Sequence, residues 1–240
     1  VIHLDLKKIF ISALGILIAY WGILWIGGGE DPYSLEHNLI RKIDIFLLGE
    51  SHLYGGTGIQ FDPEGLLSTL PSIVTVLIGY LVGSMLHTTK NFLDNVKRMS
   101  AFGIGLIIVG MIWGLLFPIN KQLWTSSYVL FTGGIATLFL SALCFMIDIK
   151  KWKKPLWVFQ IFGTNSIFLF VLSGLWTKII LRLRFDFEGQ SISGYGYLYK
   201  TLFVPIGGDM FGSLLFAIAH LVGFWLVLLW LYRKKIFINL

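Results

Sequence analysis

The chain has 240 residues, of which 56% are hydrophobic, 16% aromatic and 13% charged, and its mean hydropathy is +0.78. Soluble domains carry roughly a quarter of their residues as Asp, Glu, Lys and Arg, so a water-soluble globular domain is excluded and a hydrocarbon solvent is indicated. The formal charge of +6 does not point to nucleic acid, because the basic residues fall in short clusters between apolar blocks, as in membrane loops.

The first apolar run covers about Ile9–Ile26, after a charged HLDLKK stretch. It is long enough to span and no small-residue cleavage site follows it, so it reads as a membrane helix rather than a signal peptide. With a start at Val1 rather than Met, further residues upstream are expected. Then comes a long segment from Gly27 to Gly65. A hydrocarbon core about 30 Å thick takes roughly 20 helical residues to cross. Further runs of that kind are Leu66–Leu86, Ala101–Phe117, Tyr128–Ile147, Leu156–Ile180 and Phe211–Tyr232. A second long segment, from about Leu181 to Met210, separates the last two. Strand-type alternation is absent, which argues against a β-barrel. The expected fold is an all-α integral membrane protein, a bundle of about six transmembrane helices with two long outer loops. Residues 1–240 read as a single transmembrane domain.

Charge orients the bundle. With the N-terminus cytoplasmic, the inner segments are HLDLKK, HTTKNFLDNVKR, DIKKWKKP with Lys150, Lys151, Lys153 and Lys154, and the terminal RKK. They hold most of the Lys and Arg, as the positive-inside rule requires. Both long segments then lie outside, and loops of that length usually carry function or structure of their own. Gly79 and Gly83, and Gly110 and Gly114, are spaced for close helix contact.

Candidate chemistry concentrates in the first outer segment, GESHLYGGTGIQFDPEGLL, with Glu50, His52, Asp62 and Glu64. A histidine among carboxylates suits a general base, because a carboxylate orients the ring and stabilises its cation. The structural alternative is that Asp62-Pro63-Glu64 starts a helix, as a carboxylate cap followed by Pro and an acid in the first turn. The third run ends in PINKQLW, placing Asn120 and Lys121 at the outer boundary, where a Lys binds an anionic group or snorkels to headgroups. Within the spans, Asn165, Ser166 and His220 are polar groups at depth, suited to interhelical bonding or to a ligand. Cys144 is the only cysteine, which excludes an intrachain disulfide and a cysteine-based metal site. GGTG is not followed by GK[ST] and is no phosphate loop.

Several ordered blocks carry a resemblance: LLGESHLY, FDPEGLLSTLPSIV, PINKQLWTSSYVLFTGG, FGTNSIFLFV and LYRKKIF. In order and spacing the sequence resembles the heparan-alpha-glucosaminide N-acetyltransferase family and its bacterial relatives. It corresponds to the C-terminal part of that family's membrane domain. The family's proposed catalytic histidine lies in an earlier loop that this chain does not contain. The resemblance implies a transmembrane acyltransferase that takes acetyl from cytoplasmic acetyl-CoA and delivers it to the amine of a glucosamine-type sugar across the membrane. It aligns His52, Asp62 and Glu64 with the family's outer-face residues, Asn120 and Lys121 with its PxNK block, and Asn165 and Ser166 with its xNS block. Proton transfer is expected of His52, Asp62 and Glu64, and ligand binding of Asn120, Lys121, Asn165, Ser166 and His220. The expected partners are an amino-sugar substrate and the lipid bilayer, with a homodimer left open. A bacterial plasma membrane with both termini cytoplasmic is the expected setting. A carrier for an amino sugar is the alternative, although the six runs show no internal repeat of the kind common in transporters.

Overall fold

A computed structural model describes residues 5–56, 58–86, 88–152 and 154–238. Lys153 of the basic cluster and Thr57 of GGTG lie outside the described residues. The chain forms two compact units, Val1–Lys151 and Trp152–Leu240.

In the first unit, helix α1 (Leu6–Gly27) buries Ile9, Ala13, Leu17, Tyr20 and Leu24. These recur every three or four residues and form one stripe. Other apolar side chains of α1, such as Ile11, Ile18 and Trp25, are exposed. A helix that is apolar all round yet buries a single stripe is one whose remaining faces meet lipid. Helix α2 (Leu39–Leu48) lies in the long first connection and is capped by the Asn38 side chain, which accepts from the Arg41 N–H. The spans continue with α3 (Thr69–Met85), α4 (Phe92–Trp113) and α5 (Ser126–Cys144), which a π-turn prolongs to Ile149. The stripe of α1 packs with Val74, Leu77, Ile78 and Leu81 of α3, Met99 of α4, and Val129 and Leu130 of α5.

Helices α4 and α5 approach closely at small residues. A Cβ on Gly134 would stand 2.6 Å from the Gly103 carbonyl oxygen, and one on Gly110 2.7 Å from the Phe131 nitrogen. Of the four glycines expected at helix contacts, Gly110 is at one. Gly79 and Gly83 are not, since a methyl there meets nothing within 4 Å. Spacing alone does not say which face of α3 carries a neighbour.

The second unit begins with α6 (Trp157–Thr164) and α7 (Ser166–Arg182). The expected continuous fifth span is broken between them at Asn165, with a bend of 77°. Strands β1 (Arg184–Phe187) and β2 (Gln190–Ser193) form an antiparallel hairpin. Helix α8 (Gly194–Leu198), a π-turn over Tyr199–Phe203, and α9 (Val204–Arg233) follow. Inside α9 the backbone kinks at Gly207 and Gly208, and Gly208 takes φ +68° and ψ −171°, a conformation that glycine alone adopts readily. The second long segment is therefore a hairpin running into helix rather than a loop.

Among the described residues, four helical stretches are long and apolar enough to cross a bilayer, and the bent α6–α7 pair makes a fifth if it is one span. At 1.5 Å per residue the 17 residues of α3 extend only about 26 Å, against a hydrocarbon core of about 30 Å. The expected start of this span at Leu66 is a succession of turns instead. Asp62-Pro63-Glu64 does not start a helix either: the Asp62 carboxylate accepts from the Glu64 N–H at 2.9 Å in a local turn, and the helix begins at Thr69. The protein is an all-α membrane protein.

Candidate functional site

The first connection is folded onto α2 by two side chains three residues apart, which share a helix face. Arg41 donates from Nε to the Gln60 carbonyl at 2.8 Å and from its NH2 group to Glu50 Oε1 at 3.4 Å. Asp44 Oδ1 accepts from the Leu66 N–H at 3.1 Å. The segment from Glu50 to Leu66 is thereby strapped to one short helix at both ends.

Asp44 is 0% exposed, and its second oxygen, Oδ2, has no hydrogen-bond partner. That oxygen abuts Gly65, where a Cβ would come within 2.2 Å of it. Burial pushes the Asp44 carboxyl above the usual carboxylate range; the Leu66 N–H pulls the other way, and the nearby Asp62 charge adds to the rise. A carboxyl that cannot shed its desolvation cost through a partner favours its neutral form.

His52 ends a short 3-10 turn, Glu50–His52, and is exposed. Its Nδ1 lies 3.3 Å from the Ser51 hydroxyl. Asp62 is half-buried and Glu64 exposed. Among the described residues no hydrogen bond or ion pair joins His52 to Asp62 or Glu64, so the three share a folded segment but form no hydrogen-bonded relay.

Asn120 and Lys121 sit in the connection between α4 and α5. Asn120 Oδ1 accepts from the N–H groups of Gln122 and Leu123 at 2.8 and 3.3 Å. Thr125 accepts from the Asn120 N–H at 3.0 Å and donates to the Pro118 carbonyl at 2.8 Å. This frame fixes the turn and leaves Lys121 exposed, with no ion pair among the described residues. Tyr20 donates to the Leu123 carbonyl, tying the turn to α1.

One buried core unites these pieces. Tyr20 and Leu24 of α1, Ile40 of α2, Phe61, Phe117 and Leu123 pack together. Phe61 immediately precedes Asp62, while Phe117 and Leu123 flank the Asn120–Lys121 turn. The segment of His52, Asp62 and Glu64 and the turn of Asn120 and Lys121 therefore meet at one end of the first unit.

The other candidates lie in the second unit. Asn165 is 0% exposed and uses its carboxamide on the chain beyond α9: Nδ2 donates to the Ile236 carbonyl at 3.1 Å and Oδ1 accepts from the Ile238 N–H at 2.8 Å. It fastens the helix break to the end of α9. Ser166 opens α7 and is exposed. His220, in mid-α9, places Nδ1 2.9 Å from the Phe216 carbonyl. Arg233, the last residue of α9, is thirteen positions on, or about 20 Å along the helix, so His220 and Asn165 serve different levels of this unit.

No family model matches the chain. Two curated proteins align with it. Heparan-alpha-glucosaminide N-acetyltransferase of Mus musculus is 33% identical over 172 residues, covering 62% of this chain and 26% of the mouse protein. Its Homo sapiens counterpart is 34% identical over 146 residues, covering 54% of this chain and 22% of the human protein. This chain is related to heparan-alpha-glucosaminide N-acetyltransferase. It spans about a quarter of the length of these relatives.

Sequence reasoning passed over Arg41 and Asp44. A signal for Asp44 exists: it lies four residues after Ile40 in LIRKIDIFLL, on the buried side of a short amphipathic helix. A lone acid at an apolar-face position marks a group that the fold neutralises or bonds.

Proposed function

We propose that this protein takes part in transfer of an acetyl group to the amine of a glucosamine-type sugar on the non-cytoplasmic side of a membrane. Acetyl-CoA supplies the activated acetyl group. The relationship to two acetyltransferases supports the reaction class. The convergence of two polar segments on the Phe61–Phe117–Leu123 core is the observation that carries the choice of residues.

A protonated sugar amine has no lone pair with which to attack a thioester, so its proton must first pass to a base. His52 or Asp62 takes it, with Glu64 on the same segment accepting from the sugar hydroxyls. Asn120, through Nδ2, and Lys121, through Nζ, face the complementary task of binding sugar oxygens. Ser166 offers an exposed hydroxyl donor in the second unit. Asn165 acts as a positioning residue, through the backbone it holds. The loop charges favour a cytoplasmic N-terminus and C-terminus, which would put the His52 segment on the far side.

Acetylation rate against pH, in protein reconstituted into liposomes, tests these roles. His52→Ala or Asp62→Asn should lower the rate by about a hundredfold or more, and the variant that removes the base should lose the rise of rate with pH on the acid limb of the profile. Wild-type rates and an unchanged profile in both variants would remove these residues from the reaction.

A further inference from the structure

The second unit contains a cavity of about 420 Å³ between α7, α8 and α9. That is within the size range of small-molecule sites, roughly 300–1,000 Å³. Its walls are apolar and aromatic, including Leu172, Trp176, Leu202 and Phe216, and His220 is the exception. The geometry of that histidine defines what the cavity would hold.

His220 Nδ1 is 2.9 Å from the Phe216 carbonyl oxygen. A carbonyl only accepts, so Nδ1 carries the hydrogen and the neutral ring presents a lone pair at Nε2. Nε2 is buried and has no hydrogen-bond partner. The ring is held by Phe216, edge-on with centroids 4.4 Å apart, and is flanked by Tyr195 at 5.8 Å and Trp176 at 6.1 Å. These neighbours pack around a single acceptor that lies just behind the apolar wall, so a hydroxyl in the cavity reaches it after a small shift of the ring or its neighbours. None of the roles proposed for acetyl transfer uses that acceptor, and among the described residues no hydrogen bond within α9 does.

We infer that the cavity binds a membrane-dissolved long-chain alcohol, its hydroxyl donating to His220 Nε2 and its chain lying against Trp176, Leu172 and Leu202. One lone pair in an otherwise apolar wall selects for a molecule with one hydrogen-bond donor and an apolar body. A sugar, a nucleotide or a peptide would leave most of its polar groups unsatisfied there. The α7 and α9 helices belong to the segments that suit a bilayer crossing, so the ligand would come from the hydrocarbon phase.

Photo-crosslinking in nanodiscs with a diazirine-bearing hexadecanol tests this. Label should appear on peptides containing Trp176 and His220, and 1-decanol should compete at least about tenfold better than decyl methyl ether, which cannot donate. Nitrogen NMR of labelled histidine should show the His220 Nε2 resonance moving on addition of decanol and not of the ether. His220→Phe keeps the apolar wall and should abolish the preference for alcohol over ether. Equal competition by the two, label confined elsewhere, or an Nε2 resonance already hydrogen-bonded and unmoved by decanol would overturn the inference. A preference that survives in His220→Phe would do the same. The wild-type alcohol-to-ether comparison decides the matter even if that variant does not fold.

Discussion

Substituting Asp44 tests whether the first connection is organised around a neutral buried carboxyl. The side chain is 0% exposed, accepts one hydrogen bond, from the Leu66 N–H, and leaves Oδ2 unpartnered. Asp44→Asn keeps the shape and the Leu66 acceptor and removes ionisation. Below about pH 3.9, the ordinary aspartate value, wild type and Asp44→Asn should agree within about 1 kcal/mol. The folded carboxyl titrates above its unfolded value, so the unfolded state releases its proton first as pH rises. Wild-type stability is then fully present below the unfolded value and declines through the folded one, by about 1.4 kcal/mol per pH unit at most. Asp44→Asn lacks this decline and should be the more stable protein at neutral pH. Asp44→Ala, by contrast, removes the acceptor of the Leu66 N–H and should be about 1–3 kcal/mol less stable than Asp44→Asn at every pH. Unfolding in detergent, followed by tryptophan fluorescence from about pH 3 to pH 7, on either side of the ordinary aspartate value, measures all three. An Asp44→Asn protein less stable than wild type at pH 7, with a gap independent of pH, would refute the reasoning.

Gly134→Ala drives a methyl to 2.6 Å from the Gly103 carbonyl and should destabilise by about 1–3 kcal/mol, whereas Gly79→Ala meets nothing within 4 Å and should be neutral or slightly stabilising; the same unfolding measurement compares them. Asn165→Ala removes both bonds to the chain at Ile236 and Ile238 and should cost about 1–3 kcal/mol, with accelerated proteolysis after Arg233 as its local signature. Arg41→Lys loses the fork that grips Gln60 and Glu50, and hydrogen exchange should rise at the Phe61 N–H, which bonds to the Tyr54 carbonyl, while α4 and α5 stay protected.

The bilayer-crossing character of the chain is legible in its sequence because apolar block length is a one-dimensional property. The break at Asn165 is not, since FQIFGTNSIFLF is apolar on both sides and the bend depends on a partner some seventy residues away, Ile238. Gly79 and Gly110 look alike in sequence and differ only in what faces them. Asp62-Pro63-Glu64 carries every local mark of a helix start, yet the strap from Asp44 to Leu66 holds the following residues in turns, a tertiary contact that overrides local preference. The site residues His52, Asp62, Asn120 and Lys121 could be named from their chemistry. That the segments carrying them converge follows from Phe61, Phe117 and Leu123, ordinary apolar residues whose shared core no spacing announces.

The most direct test of acetyl transfer is mass-spectrometric detection of labelled N-acetylglucosamine from glucosamine enclosed in proteoliposomes, with carbon-13 acetyl-CoA supplied outside. The protein should be expressed both as these 240 residues and from its full natural reading frame. Labelled product inside the vesicles, dependent on the protein and reduced in His52→Ala, is the result predicted for the active preparation. No labelled product from either preparation would contradict the proposed function.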